Sequence, residues 1–312
     1  MRLIRYLAGD GNPRIGMLDG ESGESGADGT GAASLSAGRI TPLPAVPALS
    51  ALLAQPLDRV REICAAPAAE TVPAAGVTLL APVDGATEVW AAGVTYERSR
   101  TARMAESENS ADIYDRVYDA ERPELFFKSA AWRVRGPGVP VSVRADSAIN
   151  VPEPELAAVL NCAGAVVGYT ICNDMSSRSI EGENPLYLPQ AKVYLGGCAV
   201  GPWIVPAWEL PDPYALTMEL AITRDGATVW TGTAGTASLR RRIGELAGYL
   251  FREDDFPGGA ILSTGTSLVP DLPFTLQPGD HVRIAISGIG ELSNPVVRGK
   301  AAVTAAKRAH SA

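Results

Sequence analysis

Apolar and polar positions alternate over the first twenty residues, which predicts a short strand pair. The next stretch, DGESGESGADGTGAAS (19–34), holds too few apolar groups to order itself and reads as a flexible surface loop. Residues 46–66 carry two short helical patterns parted by Pro56, and 67–76 returns to linker composition. These limits predict a small N-terminal α+β module over residues 1–80 and a second domain over 81–312. From about residue 87 onward, short runs of Val, Ile and Leu are punctuated by Gly, Pro and Asp-Gly turns, so the expected class is α+β, mostly β. Residues 217–233 form the clearest hairpin: Met218, Leu220 and Ile222 share a face, and Asp225-Gly226 supplies the positive φ values of the turn. Residues 239–251 form the clearest helix, because Leu239, Ile243, Leu246 and Leu250 fall on one side, with Arg240, Arg241 and Arg242 as a solvated flank. The segment 97–122 breaks the pattern. It is densely charged and almost free of β-branched residues, which predicts a helical insertion, either a lid over a site or an exposed helix pair.

Charge narrows the partners. The chain has 312 residues, 27 basic and 35 acidic side chains and a net charge of −8, with no compensating basic tract. This argues against a nucleic acid or an anionic membrane as partner and toward a small molecule. The opening MRLIRYLAGDGNP breaks at Asp10 and Gly11 before an apolar run long enough for a signal peptide, and no span is apolar for long enough to cross a bilayer, so the expected location is cytoplasmic. Cys64, Cys162, Cys172 and Cys198 lie far apart without CxxC spacing and are expected to be buried, reduced thiols.

The stretch INVPEPELAAVL (149–160) places Glu153 and Glu155 two apart in a segment otherwise suited to the interior. On a strand such residues share a face, and two carboxylates there repel unless one is protonated or a divalent cation sits between them. VVGYTICNDMSSR (166–178) offers a third carboxylate, Asp174, where an apolar strand runs into a polar turn. On spacing alone a plainer arrangement stays open, with the glutamates flanking a surface strand and Asp174 capping a turn.

EPELA, GYTICNDMSSR, KVYLGGCAVGP, ILSTGTS and GDHVRIAISGIGELSNPV, in this order and at these separations, resemble the fumarylacetoacetate hydrolase family over roughly residues 87–303. The resemblance implies a mixed β-roll, assembled as a homodimer or homotetramer. It also implies that Glu153, Glu155 and Asp174 bind Mg²⁺, with Mn²⁺ or Ca²⁺ as alternatives, beside a 2-oxo acid substrate. Lys192, which opens the Lys…Gly-Pro element completed by Gly201-Pro202, is implied to stand next to the metal-bound substrate. Lys128 of LFFK and Thr266 of STGTS are implied to hold substrate groups, although Ser129 stands where the family usually has proline. Arg178 matches an arginine read as structural, and Ser179 replaces the acidic residue that often follows it.

Hydrolytic members of the family typically activate water with a histidine near the start of the domain. Neither His281 nor His310 matches that position. GVTYERSR, YDRVYDAERPELFFK and ENPLYLPQAKVYLGGCAVGP resemble most nearly the branch of 2-keto-3-deoxy-D-arabinonate or D-xylonate dehydratases. That branch implies a metal-dependent hydro-lyase giving 2,5-dioxopentanoate through a metal-stabilised enolate. Glu124 and Lys192 are then the pair that serves as base and acid, their individual roles open, and Tyr96 and Arg98 contact the sugar hydroxyls. Two other readings stand beside it: hydrolysis or decarboxylation of an acylpyruvate or related β-diketo acid with a glutamate in place of the histidine, and a catalytically silent oxo-acid-binding or assembly protein.

Overall fold

The computed structural model describes residues 1–312 except 20–34, 36–37, 67–69, 107–110 and 310–312. All of the predicted loop except Asp19, and also His310, therefore lie outside the described residues.

The predicted strand pair forms as Arg2–Leu7 and Pro13–Asp19, antiparallel, with Leu3 opposite Met17. Pro56 separates helices Leu49–Leu53 and Leu57–Ala65, as its fixed φ and missing N–H require. The first of these helices has no capping side chain at Ala48. Asp84 serves instead, accepting from the backbone amides of Leu49 and Ser50 at 2.8 and 2.9 Å.

Among the described residues eleven strands make one large sheet. Its order is Val72–Pro73, Arg39–Pro42, Pro13–Asp19, Arg2–Leu7, Cys198–Pro206, Val166–Asp174, Pro154–Leu160, Ala260–Ser263, Glu88–Gly93 and Glu124–Ala130, with Thr78–Leu80 attached to Arg2–Leu7. The N-terminal strands join this sheet where Leu3 faces Ile204. A five-stranded sheet holds Ala227–Gly235, Thr217–Arg224, His281–Ile286, Gly290–Arg298 and Val141–Val143. The central strands of the large sheet are apolar on both faces. Leu156, Ala158 and Leu160 pack into one apolar cluster, while Ala157 and Val159 pack into another that contains the N-terminal helices. This is why the sequence of such a strand shows no clean polar alternation.

The hairpin forms as expected, with Arg224 opposite Ala227 and positive φ at Asp225 (50°) and Gly226 (80°). The predicted helix over 239–251 begins only at Ile243, although Leu239 is buried with Ile243, Leu246 and Leu250. Of the arginines ahead of it, Arg240 and Arg242 are exposed, as a solvated flank predicts, but Arg241 is not. Arg241 is buried and donates to the carbonyls of Val117, Ala120 and Glu121, and Arg240 reaches the Tyr118 carbonyl and the Asp119 carboxylate. Cations are drawn there because the last carbonyls of helix Ala111–Asp119 have no partner within the helix and carry partial negative charge. The 97–122 insertion is helical, as expected, forming Glu97–Glu106 and Ala111–Asp119. Cys64, Cys172 and Cys198 are buried free thiols and Cys162 is half-buried. Among the described residues no helix is long and apolar enough to cross a membrane.

Candidate active site

Strands Pro154–Leu160 and Val166–Asp174 run antiparallel, with Glu155 opposite Cys172, and the Asp174 amide donates to the Glu153 carbonyl at 2.9 Å. The register brings residues nineteen or more apart in sequence to one end of the pair. Glu153, Glu155 and Asp174 each place an oxygen within 4.8 Å of the others, and all three side chains are buried. Buried charge of this density needs compensation, and the structure supplies it from several elements. Glu155 Oε2 accepts from the Ser263 hydroxyl at 2.5 Å and the Gly265 amide at 2.8 Å. Glu153 receives Arg178 Nη2 at 3.2 Å on one oxygen and Lys192 Nζ at 2.9 Å on the other. Asp174 receives Lys192 at 3.1 Å on Oδ2 and Lys128 on Oδ1.

Lys192 ends helix Leu188–Lys192 and also donates to Ser176 Oγ at 2.5 Å, so all three ammonium protons are directed at oxygens. Gly265 follows strand Ala260–Ser263 with a φ of +90°, and a side chain there would run into Thr95 Oγ1. The position must be glycine for its amide to face Glu155. Gly93 is bare for a similar reason, since a Cβ there would overlap the Glu124 carboxylate.

These groups line one cavity. Glu153, Glu155, Asp174 and Lys192 are its charged lining, and Glu124 and Thr266 line it too. The Thr266 hydroxyl exchanges hydrogen bonds with the backbone of Leu268 at 3.1 Å, which fixes its rotamer. Three expected substrate contacts are not on the cavity wall. Lys128 lies behind Asp174, fully buried, with Nζ also donating to the carbonyls of Met175 (2.9 Å) and Lys192 (2.6 Å). Tyr96 packs its ring into the apolar core, where burial, and then Glu155, push its phenol above the ordinary value. Arg98 is exposed, 3.7 Å from Asp271. The segment GVTYERSR reaches the cavity through Val94 and Ser99 instead, so helix Glu97–Glu106 covers part of the site. Glu181 is a wall residue that sequence reasoning missed, buried on helix Arg178–Glu183. The available signal was its spacing: three residues after Arg178, it shares that residue's inward face. His281 is half-buried in its strand opposite Pro295 and does not line the cavity.

The donor set fits a hard divalent cation. It consists of carboxylate oxygens, converging and fixed by outer contacts, as Mg²⁺ or Ca²⁺ takes them. Burial, then Asp174, Cys172 and Glu153, hold the Glu155 carboxyl well above its ordinary 4.5, the electrostatic cost that a cation among these oxygens would relieve. The sign of the pH dependence follows. In the metal-free chain the folded state holds the Glu155 proton more tightly than the unfolded state does, so this contribution to stability is fully present below 4.5 and is lost as pH rises above it. In EDTA, wild-type Tm should fall relative to that of Glu155→Gln as pH is raised through this range, and Mg²⁺ should reverse the trend. Parallel Tm curves in EDTA would contradict it.

Comparison with known proteins agrees with this geometry. A family model described as the fumarylacetoacetate (FAA) hydrolase C-terminal region matches residues 88–297. The chain is 53% identical over 215 residues to the probable 2-keto-3-deoxyxylonate dehydratase of Haloferax volcanii, covering 69% of this chain and 73% of that protein. It is 46% identical over 225 residues to the 2-dehydro-3-deoxy-D-arabinonate dehydratase of Saccharolobus solfataricus, covering 70% and 74%. A solved structure of 2-keto-3-deoxy-D-arabinonate dehydratase complexed with magnesium and 2,5-dioxopentanoate matches with a TM-score of 0.78 at 35% identity, covering 96% of this chain and 100% of that one.

Proposed function

The chain belongs to the fumarylacetoacetate hydrolase family, and from that premise we infer that it is a Mg²⁺-dependent hydro-lyase that converts a 2-keto-3-deoxy-pentonate to 2,5-dioxopentanoate. The observation that carries the reading is the buried Glu153, Glu155 and Asp174 group in a chain this similar to two such dehydratases. Glu153, Glu155 and Asp174 hold the cation, which when bound supplies Lewis-acid stabilisation of negative charge on the oxygens of a 2-oxo acid.

The chain's own residues handle the protons. Glu124 takes a proton from C3, which is acidic because it adjoins the keto group, and returns it to the departing C4 hydroxyl, so that water leaves. Lys192 remains an ammonium and balances the carboxylates. What supports this division is that the Lys192 protons are directed at Glu153, Asp174 and Ser176, which opposes deprotonation, whereas Glu124 stands on the cavity wall. Thr266 lines the same cavity, and to hold a substrate oxygen its hydroxyl exchanges the Leu268 carbonyl for that oxygen.

Purified protein given 2-keto-3-deoxy-D-pentonate and Mg²⁺ should form 2,5-dioxopentanoate, detected by NMR. EDTA should stop the reaction and excess Mg²⁺ restore it. No turnover with metal present would reject the assignment, and faster cleavage of acetylpyruvate would favour a hydrolase.

A further inference from the structure

The product that the assigned reaction demands is not reached by removing water alone. Loss of a C3 proton and the C4 hydroxyl from HOOC–CO–CH₂–CHOH–CH₂OH leaves 5-hydroxy-2-oxopent-3-enoate, with its double bond between C3 and C4. Its isomer 2,5-dioxopentanoate has an aldehyde at C5. Reaching that isomer requires a second proton abstraction, now from C5, which the new double bond has made acidic by conjugation with the keto group. The C5–H electron pair then forms C4=C5, C3 takes up a proton, and the resulting enol passes its hydroxyl proton through solvent to C4. No oxidant is needed, because the atoms only move within one isomer.

C3 and C5 face different protein groups if the acid is held at its C1 and C2 end. Two wall carboxylates lie outside the Glu153, Glu155 and Asp174 group, and they come from different elements. Glu124 opens strand Glu124–Ala130, which also carries Phe126 beside Lys192 and Lys128 against Asp174, so its strand is the one that runs along the metal-ligand end of the site. Glu181 sits on helix Arg178–Glu183, which packs against the covering helix Glu97–Glu106 that brings Ser99 to the wall. Glu181 is only 4% exposed, so solvation does not account for its place there.

We propose that Glu181 is the base that removes the C5 proton, making this one cavity a site for dehydration followed by allylic isomerisation. The proposal rests on the dehydratase assignment. It goes beyond it by giving the second step its own residue.

The test is product analysis of Glu181→Gln with Mg²⁺ present, run in D₂O beside wild type. The variant should form 2,5-dioxopentanoate at least about a hundredfold more slowly, the usual contribution of a positioned base. It should release the conjugated enone, visible by ultraviolet absorbance and NMR, and should still exchange the C3 protons. Should Glu181→Gln fail to fold, Glu181→Asp keeps a shorter carboxylate and should slow only the second step, so that the enone builds up and then decays. Formation of 2,5-dioxopentanoate at the wild-type rate with no enone would overturn the proposal, as would joint loss of C3 exchange and product in a folded variant. If wild type itself forms no 2,5-dioxopentanoate, the underlying assignment fails instead.

Discussion

Asp174→Asn is expected to lower kcat/KM by at least about a hundredfold even with excess Mg²⁺, because it removes one of three anionic ligands and with it the anchor of two buried cations. The second consequence is the larger for folding. Lys128 and Lys192 both meet Asp174, each is about 1% exposed, and an asparagine gives each a neutral neighbour where a charge stood. Breaking a buried ion pair by removing one partner costs about 3–5 kcal/mol. A Mg²⁺ titration of activity and a denaturant curve on the same preparation check both effects. Activity within a few-fold of wild type at saturating Mg²⁺ would show that Asp174 is not a ligand.

Lys128→Met separates two roles that a lysine near a carboxylate can play. If Lys128 held substrate, its loss would raise KM by about tenfold or more, the value of a charge-assisted hydrogen bond, with modest effect on folding. Lys128 lies off the cavity wall and donates to Asp174 and to the carbonyls of Met175 and Lys192, so the expected pattern is the reverse. Unfolding free energy should fall by about 3–5 kcal/mol and kcat should drop as Asp174 is released, while KM at saturating Mg²⁺ stays within about twofold. A raised KM in a protein of unchanged stability would return Lys128 to the substrate.

What could be read from the sequence depended on whether a residue's neighbours were local. Glu153 and Glu155 were legible because side chains two apart on extended backbone share a side, Glu153 standing just ahead of the strand that holds Glu155, and the Asp225-Gly226 hairpin because its turn chemistry is confined to two positions. The two N-terminal helices were legible because Pro56 marks their boundary by its own covalent structure. Tyr96 and Arg98 were expected at the substrate but do not line the cavity, because their orientation depends on where helix Glu97–Glu106 meets the sheet, a long-range fact. The large apolar ring went to the core, the guanidinium to solvent, and the small hydroxyl of Ser99 was left at the cavity. Arg241 was misread for the same reason. A charge run is an ordinary solvated flank until a helix ends beside it, and helix Ala111–Asp119 is more than a hundred positions away in the chain. Glu181 was hidden in EGEN, a stretch whose composition matches any surface turn.

The grip on the ion is built on central strands of a sheet covered on both sides, whereas Ser99 and Glu181 ride on two helices laid over its end. Descendants of such a protein can therefore diverge at the rim without risking the anchor. An engineer seeking activity on other hydroxylated acids has the same freedom, and would diversify those peripheral helices while keeping Arg178, Glu181 and every strand residue untouched.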